Sequence, residues 1–137
     1  MEGSRPMVVE VQALTVSSPL PTPRRVSRGI NVSKLHLLLA VLQKYTKLRF
    51  DSVDVFVNVV GDVDFKDPAI DLAVIAALMS AKKGKSLGKN TVYCGEIGLL
   101  GEVRRVRQLE KRVKEAKRLG YKQVVTADNL LTVGELM

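Results

Sequence analysis

Asp67-Pro68-Ala69-Ile70-Asp71-Leu72-Ala73-Val74-Ile75-Ala76-Ala77-Leu78-Met79 is the stretch around which the rest of the chain must be arranged. Asp67 before Pro68 is a helix start: the carboxylate can accept from free N–H groups, and proline at the first helical position loses no hydrogen bond. Behind it, Ile70, Val74, Ala77 and Leu78 share one helical face and Leu72, Ala76 and Met79 another. A helix that is apolar nearly all round belongs at the centre of a core. The pattern predicts such a helix to about residue 82, with Asp71 as the one charge among Ile70, Leu72 and Val74.

Working outward, Gly95-Glu96-Ile97-Gly98-Leu99-Leu100-Gly101-Glu102-Val103 reads as a hairpin, with strands over residues 91–99 and 102–106 meeting at Leu100-Gly101. A long helix over 107–119 ended by Gly120, a short strand over 123–126 and a helical turn over 131–137 follow. Upstream, residues 53–60 form a β-branched run that suits a strand buried on both faces. Before it, Leu35, Leu38, Leu39 and Leu42 recur at helical spacing over 33–45, with Asn31 or Ser33 as the cap. Strands over 7–16 and 24–30 flank the proline-rich loop Ser17-Ser18-Pro19-Leu20-Pro21-Thr22-Pro23. The expected order is β-β-α-β-α-β-β-α-β, an α+β layer arrangement.

The 137 residues are 46% hydrophobic, enough for one domain spanning 1–137 with an ordinary core. Cys94 is the only cysteine, which excludes an internal disulfide and any multi-cysteine zinc site. No run approaches the roughly 18 apolar residues of a membrane span, and no cleavable signal is evident, so a cytoplasmic protein is expected. The net charge of +8 is uneven, with thirteen basic residues against seven acidic ones after position 68. Between Arg104 and Lys122 nine basic residues face only Glu110 and Glu115, a pattern suited to a polyanion, an acidic protein surface or a solvated face.

Gly84-Lys85-Ser86 resembles the end of a phosphate loop, but the glycine such a loop needs is Met79, and the triplet follows a helix instead of a strand. His36 has no second histidine to share a metal and reads as a helix-surface residue; Cys94 reads as a small core hydrophobe. No metal or cofactor is expected. The last helix carries the positive signal. Leu109, Val113 and Ala116 line one face, while Arg107, Lys111, Lys114 and Arg118 fall within about 60° of one another on the opposite face. Four cations with no acid interleaved repel one another, and the phosphates of a nucleic acid would relieve that repulsion. Arg24, Arg25 and Arg28 form a rival basic surface on the second strand. With no Trp and few other aromatics, any binding is expected to follow the backbone of the nucleic acid and not its sequence.

The two central segments resemble the proteolytic domain of Lon, in which a Pro-Ser-Ala-Gly turn carries the nucleophile and a Gly-Glu-Ile-x-Leu-x-Gly hairpin precedes the helix with the catalytic lysine. The serine position reads Ala69 and the lysine position Glu110. Alanine has no attacking group and glutamate cannot replace the lysine base, so a fold retained without its reaction is expected. Lys111, one helical step of about 100° away, should point away from Ala69.

Among Lon-like domains, the chain most resembles the C-terminal domain of the bacterial RadA/Sms DNA repair family. The resemblance runs through Glu2-Gly3-Ser4-Arg5-Pro6, Val9-Glu10-Val11-Gln12-Ala13-Leu14, Thr22-Pro23-Arg24-Arg25, Leu37-Leu38-Leu39-Ala40-Val41-Leu42, Asp67-Pro68-Ala69, Asp71-Leu72-Ala73 and Gly95-Glu96-Ile97-Gly98-Leu99. It implies a ribosomal-S5-domain-2-like fold, a homo-oligomeric ring, expected to be hexameric, and a scaffold that contacts DNA during recombination and branch migration. The family's zinc ribbon and RecA-like ATPase are not in this chain, which therefore reads as an excised part of a longer protein. Two other functions remain open: an RNA-binding module on the S5-like fold, and a peptidase with a displaced pair such as Ser80 and Lys111.

Overall fold

Val53–Val60 is the middle strand of the largest sheet, and its burial alternates. Val53, Val55, Val57 and Val59 point into the core, while Phe56 and Asn58 are half-buried and Val60 is exposed on the other face. The strand is therefore fully covered on one face only, not on both as its β-branched run suggests. The computed structural model describes residues 8–61, 66–88 and 90–136. Met7, the Glu2-Gly3-Ser4-Arg5-Pro6 segment and Met137 lie outside the described residues.

The elements in chain order are β1 (Glu10–Ser17), β2 (Arg25–Arg28), α1 (Val32–Tyr45), β3 (Val53–Val60), a 3₁₀ turn (Pro68–Ile70), α2 (Asp71–Lys83), β4 (Thr91–Tyr93), β5 (Glu96–Ile97), β6 (Val103–Arg104), α3 (Leu109–Arg118), β7 (Gln123–Val125) and a last 3₁₀ turn (Val133–Leu136). The sheet runs β1-β3-β2, with β1 antiparallel and β2 parallel to β3. A parallel pair needs a crossover, and α1 supplies it between β2 and β3. Leu35, Leu42, Phe50, Val74, Ile75, Leu78 and Met79 are sealed between α1, α2 and the inner sheet face. The outer face keeps an apolar row, Leu14 opposite Phe56 and Phe56 opposite Val26.

The architecture is α+β, but it holds one strand more than the sequence pattern suggests. Residues 91–99 do not form one strand, because the chain changes partners at Cys94-Gly95. Cys94 N–H donates to Val125 O at 2.9 Å, still beside β7, whereas Gly95 N–H donates to Ala69 O at 3.0 Å and Gly95 O accepts from Leu72 N at 3.0 Å. A Cβ on Gly95 would lie 3.0 Å from Val103 Cγ1 and 3.4 Å from Leu72 Cδ2, so a side chain here would press on Val103 of the neighbouring strand. β4 then pairs in parallel with β7, and β5 with β6 antiparallel.

α3 is shorter than residues 107–119. Gln108 has φ 57° and the helix starts at Leu109, which leaves Arg107 in the preceding turn. At the other end Gly120 (φ 99°) donates to Lys117 O at 3.0 Å and Tyr121 N–H to Ala116 O at 3.1 Å. This paired closure needs a left-handed residue, which is why glycine stands there.

Candidate nucleic-acid interface

The 3₁₀ turn at the head of α2 is built as the sequence suggests. Asp67 Oδ1 accepts from Ala69 N at 3.1 Å with Pro68 in the first helical position. Ala69 is buried against Cys94, Val106, Leu109 and Val113, and its carbonyl is taken by Gly95. The group facing this turn from α3 is Arg112. Its Nη1 lies 3.0 Å from Asp67 Oδ2, its Nη2 3.5 Å from Oδ1, and its Nε donates to Arg107 O at 3.0 Å. Both side chains of this ion pair are mostly buried, 16% and 22% exposed. Burial pushes the Cys94 thiol up from its ordinary pKa, against the opposing charge of Arg112, so it packs as a small protonated hydrophobe.

Glu110 is not aimed at Ala69. Its side chain is 76% exposed and lies 2.5 Å from Arg105, which also reaches Asp128 at 3.2 Å. The Arg105 hydrogen bond holds the Glu110 carboxyl below the usual range. Ser80 and Lys111 are not assembled either. Ser80 Oγ donates to Lys85 O at the far end of α2, roughly 14 Å along the helix axis from Asp71. Lys111 is exposed and adjoins Arg112, whose guanidinium sits at the Asp67 end.

Asp71 is almost fully buried inside α2, where Oδ2 accepts from Ile97 N at 3.2 Å and from Lys34 Nζ at 3.3 Å. Its Oδ1 lies 3.1 Å from the same ammonium as an ion-pair contact without hydrogen-bond alignment. Desolvation raises its pKa, with Ile97 N–H and Lys34 opposing. The basic partner is thus a neighbouring helix, α1.

The expected basic surfaces are sorted by their internal partners. Arg118 makes paired contacts of 2.7 and 2.8 Å with Glu115, one helical turn back, so the stripe is not purely basic as its spacing suggests. Arg107 lies off the helix, exposed. Lys111 and Lys114 are exposed on α3, and among the described residues neither makes an ion pair. Lys117 shares this condition and, three residues on from Lys114, lies at the stripe's edge and extends it towards a cleft. Just before β2, Arg24 is held by Asp54 through Nη2 at 2.9 Å and Nε at 3.2 Å. Arg25 donates to Val53 O at 2.6 Å and Phe50 O at 2.7 Å, so it braces the β3 entry. Arg28 is exposed. His36 is exposed on α1, and Gly84, Lys85 and Ser86 follow the end of α2.

The family described as subunit ChlI of Mg-chelatase matches residues 28–129. Among the described residues no group of three or more His, Cys, Asp or Glu could hold a metal, and no helix is long and apolar enough to cross a membrane. The DNA repair protein RadA of Aquifex aeolicus is 46% identical over 129 residues, covering 94% of this chain and 29% of that protein. RadA of Bacillus subtilis is 42% identical over 131 residues, 95% of this chain and 29% of that protein. RadA of Pseudomonas aeruginosa is 46% identical over 124 residues, 90% and 27%. The chain thus spans under a third of the length of these relatives. It belongs to the ChlI family and, within it, to the Lon-like region of the bacterial RadA/Sms DNA repair proteins.

Proposed function

We propose that this chain is a non-catalytic, ribosomal-S5-domain-2-like scaffold of a RadA-type DNA repair protein, binding DNA through backbone contacts along α3 and assembling with further copies into a ring. The observation that carries the reading is the sorting of cations on and around α3. Arg105, Arg112 and Arg118 are bound to carboxylates of the chain itself, while Lys111, Lys114 and Lys117 have no such partner among the described residues. Lysines left without acids on one face would gain from phosphates, with counterion release as the driving force.

The absence of peptidase chemistry is part of the same reading. Alanine fills the nucleophile position and an Asp67–Arg112 pair occupies the space beside it, so neither nucleophile nor neutral base is provided. Self-association is supported by apolar groups left uncovered. Leu99 and Leu100 are 68% and 74% exposed at the tip of a turn closed by Gly101 N–H to Gly98 O at 3.0 Å, and the outer sheet face carries its own apolar row. In the longer protein a RecA-like ATPase would supply the energy for branch migration, and a cytoplasmic setting fits that role.

Fluorescence anisotropy with duplex DNA, single-stranded DNA and a structured RNA tests the reading. Binding to either DNA that weakens steeply with salt is expected. Preference for the structured RNA at all salt concentrations would favour an RNA-binding module. Incubation with casein and fluorogenic peptides should yield no cleavage; turnover that vanishes on mutating one serine would refute the non-catalytic assignment.

A further inference from the structure

A cleft of about 390 Å³ lies beside α3, against the turn that follows β7, within the roughly 300–1,000 Å³ of small-molecule sites. Three chemistries meet there. Leu109 and Val113 supply its apolar lining. The carboxylates of Glu110 and Asp128, the guanidinium of Arg105 and the lysines Lys114 and Lys117 also line it. We propose that this cleft takes one unstacked, amino-bearing nucleobase of a single strand, cytosine being the smallest, with an adjoining phosphate on Lys114 and Lys117. The proposal rests on the DNA-contact reading of α3 and adds to it a base preference and a strand preference.

The two carboxylates share one cation. Arg105 bridges Glu110 at 2.5 Å and Asp128 at 3.2 Å, so one guanidinium holds both. Asp128 is set by a closed turn, in which its N–H donates to Thr126 Oγ1 at 3.1 Å, Asn129 N–H to Thr126 O at 3.1 Å, and Asn129 Oδ1 accepts from Thr126 N at 2.8 Å. Each carboxylate keeps lone pairs beyond the one used by Arg105, and a carboxylate is an acceptor only. It can receive the N4 amine of cytosine, whereas thymine offers a carbonyl oxygen at the same place. The body of the base would lie on Leu109 and Val113, which replaces an aromatic platform in a chain that lacks tryptophan. In a duplex the base is stacked between its neighbours, so its face cannot lie on Leu109 and Val113, and the cleft can hold it only on an unstacked single strand.

The test is anisotropy at fixed salt with short oligo(dC) and oligo(dT), for the wild-type chain and the double variant Glu110→Ala/Asp128→Ala. Both residues are exposed, and circular dichroism checks that the fold is kept. Oligo(dC) is expected to bind about five- to tenfold more tightly than oligo(dT), and the double variant should bring that ratio to about one without weakening oligo(dT) binding. Equal binding of the two strands by the wild-type chain, or a ratio unchanged in the variant, overturns the cleft assignment while leaving the DNA-contact reading intact. Loss of binding to both strands by the wild-type chain would defeat the two together. Absence of discrimination, with an acidic peptide shifting the NMR signals of Val113 and Lys117 instead, would reassign the cleft to a protein partner.

Discussion

Asp67 serves two elements at once, capping the turn before α2 and holding Arg112 of α3. Its role as a cap is legible in the sequence because a cap is local. Its ion pair is not, since the partner lies 45 residues away and helical periodicity says only that Arg112 borders the apolar stripe. Asp67→Ala should therefore cost more than the roughly 0.5–2 kcal/mol of a cap alone, about 2–4 kcal/mol, because it also leaves a mostly buried guanidinium unpaired. In a double-mutant cycle with Arg112→Ala, thermal or urea unfolding should show clear coupling; additive effects would mean the pair contributes nothing. Asp54 gives the pH signature. Hydrogen bonds from Arg24 N–H and its side chain hold this carboxyl below the ordinary value of 3.8, so the unfolded chain takes up the proton first on acidification. Its contribution is present above pH 3.8 and is lost as pH falls through the lowered value. Asp54→Asn should flatten the acid limb of the stability curve, and melts at stepped pH will show whether it does.

At the scale of elements, α1, β3 and α2 lie where their sequence patterns place them because each is long and apolar, although β3 is fully covered on one face only. The region after α2 does not. The break at Cys94-Gly95 comes from hydrogen bonds to Ala69 and Leu72, contacts across the fold that no period within residues 91–99 records. The late start of α3 likewise rests on the left-handed Gln108, a residue type with no special tendency towards that conformation. These differences matter for the basic surfaces. Arg25 reads as a free cation in the sequence, yet it braces the carbonyls of Phe50 and Val53. Arg25→Ala is expected to destabilise the fold by about 1.5–3 kcal/mol, measured by chemical unfolding. A melting temperature equal to wild type would restore Arg25 to the list of free cations.

For the whole molecule, the sequence resemblance supplies the family, while the sorting of charges supplies the surface. Nine basic residues between Arg104 and Lys122 look like one patch, but Arg104, Arg105, Arg112 and Arg118 are paired to Glu102, Glu110, Asp128, Asp67 and Glu115, which leaves Lys111, Lys114 and Lys117 on α3, with Arg107 before it and Lys122 after it. In the proposed assembly the exposed leucines of the β5–β6 turn would be covered by another copy, so light scattering should show mass rising with concentration and Leu99→Glu/Leu100→Glu should suppress the rise. A monomer at every soluble concentration would count against the ring. The most direct measurement is a salt titration of duplex binding, where log affinity falls against log salt by about 0.9 per neutralised phosphate. Lys111→Glu/Lys114→Glu should weaken binding to all sequences alike and flatten that slope by roughly one unit per lost contact, whereas Arg28→Glu should leave it near wild type. A Lys111/Lys114 variant that binds like wild type, with Arg28→Glu abolishing binding, would show that α3 carries only a solvated face and that DNA lies on the strand instead.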